Sequence, residues 1–207
     1  MRRRLIAAWL AAVAVPAVGA TVPNEALRLR ADLIRNARAV WGINAPVARF
    51  AAQIQQESAW RPAARSRYAE GLAQFTPATA AWIAQAYPRL GAAAPYSPQW
   101  AIRALVTYDR HLYLRILPRQ GRVEACDRWA MTLSAYNGGL GWVGRDRALA
   151  ARAGADPDRW WRHVERYSPR ADWARRENRD YPRRILLRWE PIYRQAGWPG
   201  EAVCWHV

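Results

Sequence analysis

The chain has 207 residues and a formal net charge of +16, and all of its 32 basic residues are arginine. With 52 % hydrophobic and 23 % charged residues it can build a real core, which excludes a disordered tail and suits one domain of ordinary size. The charge steers the chain towards polyanions. However, the arginines are spread over the whole length rather than gathered with aromatics on one face, which argues against nucleic acid and for an anionic envelope surface.

In chain order, Arg2 to Arg4 form a basic start, Leu5 to Val18 an apolar stretch, and Val18-Gly19-Ala20 a small-residue site. This pattern is that of a secretory signal over 1–20, cleaved near Ala20. The apolar run is too short for a comfortable membrane span. The remaining chain is then expected to be periplasmic or secreted, and at most peripheral to the membrane. In such a compartment the two cysteines, Cys126 and Cys204, favour a disulfide over two free thiols.

Strand patterns are scarce and helix starts frequent. Asn44, Thr76, Ser97 and Asp156 each stand one or two positions before a proline, which reads as a cap followed by a first helical turn. The spacing predicts a helix over 45–57, another over 98–117, and a third over 122–136 that stops at Gly138-Gly139. A last helix over 180–196 is expected to open at Asp180 with Pro182 in its first turn, and to kink or end at Pro191. The fold class is all-α, a single compact multi-helical domain with no repeats and no linker.

Val47, Phe50, Ala51, Ile54 and Glu57 share one face of the helix over 45–57. Glu57 therefore points inward, where burial would raise its pKa and keep it protonated. On spacing alone it is equally a helix-end carboxylate that bends to solvent or pairs with an arginine. Behind it, Pro62 ends the helix, Gly71 permits a positive φ, Gln74 offers a neutral amide, and Thr76-Pro77 opens the next helix.

Four segments in order then resemble the lytic transglycosylase domain with the goose-type lysozyme fold. Glu57-Ser58-Ala59-Trp60-Arg61-Pro62 resembles its Glu-Ser-x-aromatic-x-Pro motif. Gly71-Leu72-Ala73-Gln74-Phe75-Thr76-Pro77-Ala78-Thr79 is similar to its Gly-Leu-Met-Gln-x-x-Pro-x-Thr motif. Ala135-Tyr136-Asn137-Gly138-Gly139 resembles Ala-Tyr-Asn-Ala-Gly, and the stretch from Glu177 to Leu186, with Tyr181 inside it, resembles the closing Glu-x-x-x-Tyr-x-x-x-Ile-Leu segment. The chain divides accordingly into a signal peptide (1–20), an N-terminal helix (21–43), a lysozyme-like domain (44–196) and a C-terminal tail (197–207) tethered by the disulfide.

The resemblance implies cleavage of the bond between N-acetylmuramic acid and N-acetylglucosamine in peptidoglycan, leaving a 1,6-anhydromuramyl end. It implies Glu57 as the single catalytic acid and base, with Tyr181 orienting its carboxyl. Gln74, Asn137, Tyr136 and Ser66 would line the cleft. Trp60 joins them, with Trp82 and Trp142, because these indoles lie next to the motifs and stack well on sugar rings. The other readings are a core aromatic for Tyr136, a helix cap for Asn137 and a surface ion-pair partner for Glu177. Trp160, Trp161, Trp189 and Trp198 read as packing or rim residues.

Ala73 and Thr76 stand where the family often has Met, and Glu70 is a second carboxylate in the loop, expected to be solvated. Were Glu70 to reach the cleft, it could hold a water and turn the outcome towards hydrolysis. A hydrolytic muramidase is therefore one alternative, and a wall-binding component of a conjugation, secretion or other envelope machine with little turnover is another. No cofactor or metal is expected, since His111, His163 and His206 lack ligand spacing.

Overall fold

The computed structural model describes residues 21–205; the expected signal segment lies outside them. Eight α-helices run α1 (Asn24–Trp41), α2 (Val47–Ser58), α3 (Pro77–Ala86), α4 (Pro98–Tyr113), α5 (Ala125–Gly138), α6 (Leu140–Arg152), α7 (Asp172–Arg183) and α8 (Glu190–Gln195). Among the described residues β-pairing is limited to isolated bridges, Arg65 to Glu70 and Glu70 to Phe75. The fold class is all-α, as expected.

Two of the four expected starts are capped by side chains. Thr76 Oγ1 accepts from Thr79 N at 3.1 Å and Ser97 Oγ from Trp100 N at 3.4 Å, each just ahead of a proline in the first turn. The other two are not. Helix α2 starts after Pro46 with no side-chain cap. Asp156 opens a turn instead of a helix, its Oδ1 accepting from Asp158 N at 2.8 Å.

Three boundaries also differ from expectation. Helix α4 ends at Tyr113 rather than 117, because Pro118 keeps Leu117 out of the α region. Gly138 is the last residue of α5, and Gly139, at φ 96°, is a pivot from which α6 follows at once. Helix α7 begins at Asp172, so Asp180 caps nothing and Pro182 lies inside the helix. A π-helical stretch, Arg184–Trp189, then joins α7 to α8, and Pro191 sits in the first turn of α8. A regular helix would drive the Pro191 ring into the Leu187 carbonyl. The wider π turn carries that carbonyl, so the chain continues where the sequence suggested a stop.

Helix α2 is the central element, packed against α1, the π stretch and α8, while α5 packs on α4, α6 and α7. Its flank holds a buried ion pair. Arg49 Nε and Nη2 donate to the two carboxylate oxygens of Glu190 at 2.9 and 2.7 Å, with the guanidinium 4.6 Å over the Trp129 ring. Removing one partner strands the other charge in the core. Arg49→Leu is therefore expected to lower unfolding stability by about 3–5 kcal/mol, read by urea denaturation, whereas the matched pair Arg49→Leu/Glu190→Leu recovers most of the loss.

The C-terminal tail supplies the cap that α2 lacks. Pro199 O accepts from Ala48 N at 2.8 Å and Glu201 O accepts from Arg49 Nη2 at 3.1 Å. Gly200 passes so close to Pro46 that an added Cβ would lie 3.0 Å from its Cα. A disulfide between Cys126 and Cys204 ties this tail to α5.

Candidate active site

Glu57 occupies the last full turn of α2, and the chain leaves that helix abruptly. Ala59 and Trp60 both take left-handed φ, at 50° and 62°. Two such residues in succession, neither of them glycine, mark a strained exit of the sort held only when the surroundings enforce it. The surroundings are visible: Ser58 Oγ donates to Leu72 O at 2.7 Å, and the Trp60 indole donates to Tyr193 Oη at 2.6 Å.

That exit corrects the expectation for Trp60. Its side chain is 0 % exposed and packs with Tyr193 and Trp198, so it is a core residue and offers no face to a sugar. Trp60 stands in the wall of the recess that Arg61 and Pro62 also line, but the reversed chain direction buries its ring, which leaves no exposed surface there.

The loop after α2 closes on itself to present Gln74. Gly71, at φ 75°, is required: a Cβ there would fall 1.7 Å from Pro95 O. Gln74, also at positive φ, donates through Nε2 to Gly71 O at 2.9 Å and Ala64 O at 3.2 Å, which leaves its amide oxygen for the groove. Ser66 is exposed, and its hydroxyl accepts from Ala69 N at 3.0 Å and Tyr68 N at 3.3 Å. Glu70 faces away, towards Tyr96 and 4.0 Å from Arg65, and does not line the groove.

From the other side, α5 and α7 supply a stacked pair. Tyr181, 5 % exposed, donates its hydroxyl to Glu57 Oε1. The Tyr136 ring lies parallel to Tyr181, 8° between planes and 6.4 Å between centroids, and its own hydroxyl donates to Ala73 O at 2.8 Å. Tyr136 thus backs Tyr181 while also lining the groove. Asn137 is exposed, and its Oδ1 accepts from Asn178 Nδ2 at 3.0 Å, so its own amide hydrogens remain for a ligand.

Behind Asn137 lies a network that the sequence reading missed. Asn178 Oδ1 accepts from Ser134 Oγ at 2.7 Å and Arg179 Nη1 at 2.7 Å, and Arg170 and Arg179 both pair with the buried Asp146. Asp146 belongs to α6, the helix hidden behind Gly138-Gly139, so no signal for it was available. Glu177, expected as a surface ion-pair partner, has no such partner among the described residues and lines the groove instead.

The groove is three joined recesses of about 370, 890 and 360 Å³. The first lies between the 66–79 loop and Tyr136, Asn137 and Glu177; the second runs over Arg61 to Arg65 towards Glu25; the third is bounded by Gln56, Asp180, Tyr181 and Arg184. Glu57 is the side chain shared by all three. A side branch of about 340 Å³ holds Trp142 and the exposed Trp173, whereas Trp82 packs on Tyr87, Tyr108 and His111 outside the groove walls. Among the described residues no cluster of His, Cys, Asp or Glu could hold a metal.

Burial raises the Glu57 pKa from 4.5 to about 8, against the opposing hydrogen bond from Tyr181 and with a smaller push from the Glu177 charge. An acid in this state is protonated at neutral pH and close to releasing its proton, which suits both halves of an acid–base cycle.

The family model described as the transglycosylase SLT domain matches residues 32–158, more than half of the chain. The chain belongs to that family. The matched stretch contains Glu57, Ser66, Gln74, Tyr136 and Asn137, while Tyr181 lies beyond it. This SLT-domain chain is 33 % identical over 138 residues to the membrane-bound lytic murein transglycosylase F of Alcanivorax borkumensis, a match covering 66 % of the chain and 27 % of the relative. It is 33 % identical over 112 residues to the protein of that name from Pseudoalteromonas translucida, covering 54 % and 22 %. It therefore spans about a quarter of the length of the curated relatives it matches.

Two solved structures share the fold. One is the 70 kDa soluble lytic transglycosylase in complex with bulgecin A, with TM-score 0.56, 22 % identity, and 84 % of the chain and 25 % of that protein covered. The other is the 70 kDa enzyme from Escherichia coli, with TM-score 0.55, 21 % identity, and 83 % and 25 % covered. No helix among the described residues is long and apolar enough to cross a membrane.

Proposed function

We propose that this SLT domain is a peptidoglycan lytic transglycosylase in which Glu57 alone serves as acid and then base. The observation that carries this reading is the Glu57 carboxyl at the junction of three recesses, hydrogen-bonded by Tyr181, with burial raising its pKa to about 8. A long open groove suits a polymer, and the free amide oxygen of the half-buried Gln74 and the exposed amide of Asn137 suit N-acetyl and hydroxyl groups. The names of the relatives support the same substrate class.

Glu57 protonates the glycosidic oxygen between N-acetylmuramic acid and N-acetylglucosamine, and the C1–O bond breaks. The substrate's own acetamido group stands in for a second carboxylate at C1. The Glu57 carboxylate then takes the proton of the muramyl 6-hydroxyl, whose oxygen closes on C1. Water is not consumed, and Glu57 ends protonated. Between the two steps Tyr181 stabilises the Glu57 carboxylate that remains when the proton has left.

Tyr181→Phe isolates this role. Loss of a hydrogen bond to a charged group of about 1.5–3 kcal/mol corresponds to roughly a 10–100-fold fall in kcat. The Tyr181 bond lowers the Glu57 pKa, so its removal raises that pKa further and moves the alkaline limb of the pH–rate profile upward. A limb that moved downward would assign Tyr181 a different role.

A hydrolytic reading has one supporting observation, the exposed Glu177 on the groove wall, where it could position a water. Mass spectrometry of a sacculus digest decides, because an anhydro end is one water lighter than a reducing end. Anhydro products are expected, and a digest dominated by reducing ends would overturn the lyase. The Cys126–Cys204 bridge supports an oxidising, extracytoplasmic location.

A further inference from the structure

Beneath the groove, α2 and α4 bring together two polar side chains that are sealed from solvent. Asp109 and Gln53 are each 0 % exposed. Gln53 Nε2 donates to Asp109 Oδ1 at 3.4 Å. That contact satisfies one end of each group and leaves the other end stranded: Asp109 Oδ2 and Gln53 Oε1 are both buried without a hydrogen-bond partner among the described residues. Two buried acceptors left unpaired are costly, and a carboxylate charge there costs more still.

A single proton removes both deficits. A neutral carboxylic acid has an O–H donor as well as a carbonyl acceptor. Set against a primary amide it completes a ring of reciprocal hydrogen bonds, N–H to the acid carbonyl and O–H to the amide oxygen. The two orphaned oxygens are the pair that this ring joins.

The charged surroundings agree. Burial first, and then the Glu57 charge, hold the Asp109 carboxyl well above the usual carboxylate range, with the Gln53 bond and Arg49 opposing. Arg49, the one cation facing it from α2, is already committed to Glu190 by two hydrogen bonds. The other titratable neighbours are the tyrosines Tyr108 on α4, Tyr136 on α5 and Tyr181 on α7, which bring no positive charge.

We propose that Asp109 carries a proton on Oδ2, donates it to Gln53 Oε1, and acts as a neutral positioning residue behind Glu57. The consequence for catalysis rests on the reading of Glu57 as acid and base. An ionised Asp109 would add a second negative charge behind the groove and hold the Glu57 proton in place, which would oppose the acid half of the cycle. A neutral Asp109 fixes α2 against α4 through the ring and leaves Glu57 free to release its proton.

The protonation state is tested without any turnover. Glu57→Gln removes the other raised carboxyl of the site. The infrared difference between Glu57→Gln and Glu57→Gln/Asp109→Asn at neutral pH is expected to contain the C=O stretch of a neutral carboxylic acid, shifted down in D2O. Carboxylate bands in its place would overturn the proposal, whatever the fate of the lyase reading. The coupling is tested by the pH–rate profile of Asp109→Asn, the neutral twin that keeps both bonds of the ring. Its alkaline limb is expected to stay where the unmutated protein has it. A limb lower by about one pH unit or more, as when a charged neighbour is removed, would overturn the proposal, and so would an Asp109→Asn protein that cannot fold.

Discussion

Glu57→Gln is expected to reduce the release of muropeptides from purified sacculi by at least about 10³-fold, with the fold retained. The amide keeps the volume of the acid and can still meet the Tyr181 hydroxyl, but it has no proton to give and no basic oxygen to take one back. Among groove residues, Ser66, Gln74 and Asn137 offer neutral polar groups, so the single loss of any one is expected to cost contacts rather than chemistry. Glu57 has no understudy: Glu70 is turned towards Tyr96, and Glu177 is an exposed side chain without the burial that keeps Glu57 protonated. Near-normal release by the Gln variant would remove Glu57 from the mechanism.

The same substitution has a stability signature whose sign is fixed by the pKa. The folded protein holds the Glu57 proton more tightly than the unfolded chain, at about 8 against 4.5. Its contribution is therefore most favourable below pH 4.5 and declines as pH rises towards 8, because only the unfolded state ionises freely. Glutamine has no such decline. The unfolding free energy of Glu57→Gln should match the parent in acid and exceed it increasingly from pH 5 to 8, by of order 1–2 kcal/mol at the upper end once water at the groove mouth is allowed for. A gap that stayed constant from pH 5 to 8 would mean that Glu57 is an ordinary ionised carboxylate.

Glu57 falls on the apolar stripe of α2, which alone left a solvent-facing or ion-paired carboxylate open, and it was the Glu-Ser-x-aromatic-x-Pro resemblance that singled it out. Asp109 sends the same signal, sharing the stripe of Ile102, Leu105, Val106 and Leu112 on α4, and the whole stripe is buried. The two acids are the polar members of two core faces, and the structure brings them into one site. Other features were hidden for identifiable reasons. Trp60 follows Glu57 by three positions, yet two left-handed residues reverse the chain and send it into the core. Gly138-Gly139 reads as a stop, but a glycine at positive φ serves equally as a pivot between abutting helices, and the Asp146 network went unseen with α6. Asp180 before Pro182 imitates a helix start, because nothing local announces that α7 has already begun at Asp172 or that a π turn after it will carry the chain past Pro191. Local chemistry gave the residues of the site, and tertiary packing chose which of them face the groove.

Reduction of the Cys126–Cys204 bridge is expected to lower Tm by roughly 10–15 °C. The bridge closes a loop of 78 positions, for which the chain-entropy account gives about 4–5 kcal/mol. The loss reaches beyond entropy in the unfolded chain, because the tethered tail is built into α2. Its first turn has no side-chain cap, and the Pro199 carbonyl answers the Ala48 N–H that a capping side chain would otherwise meet. Trp198, against Trp60 and Tyr193, anchors the same tail in the core. Freed of its bridge, the tail can peel away and leave the N-terminus of the Glu57 helix open, while the packing of α2 on the π stretch and α8 stays in place. Cys126→Ala/Cys204→Ala should thus still cleave sacculi at low temperature and inactivate at the lowered Tm, with amide exchange at Ala48 and Arg49 rising well before global unfolding. Equal Tm values with and without dithiothreitol would show that the tail contributes nothing to the helix that carries the acid.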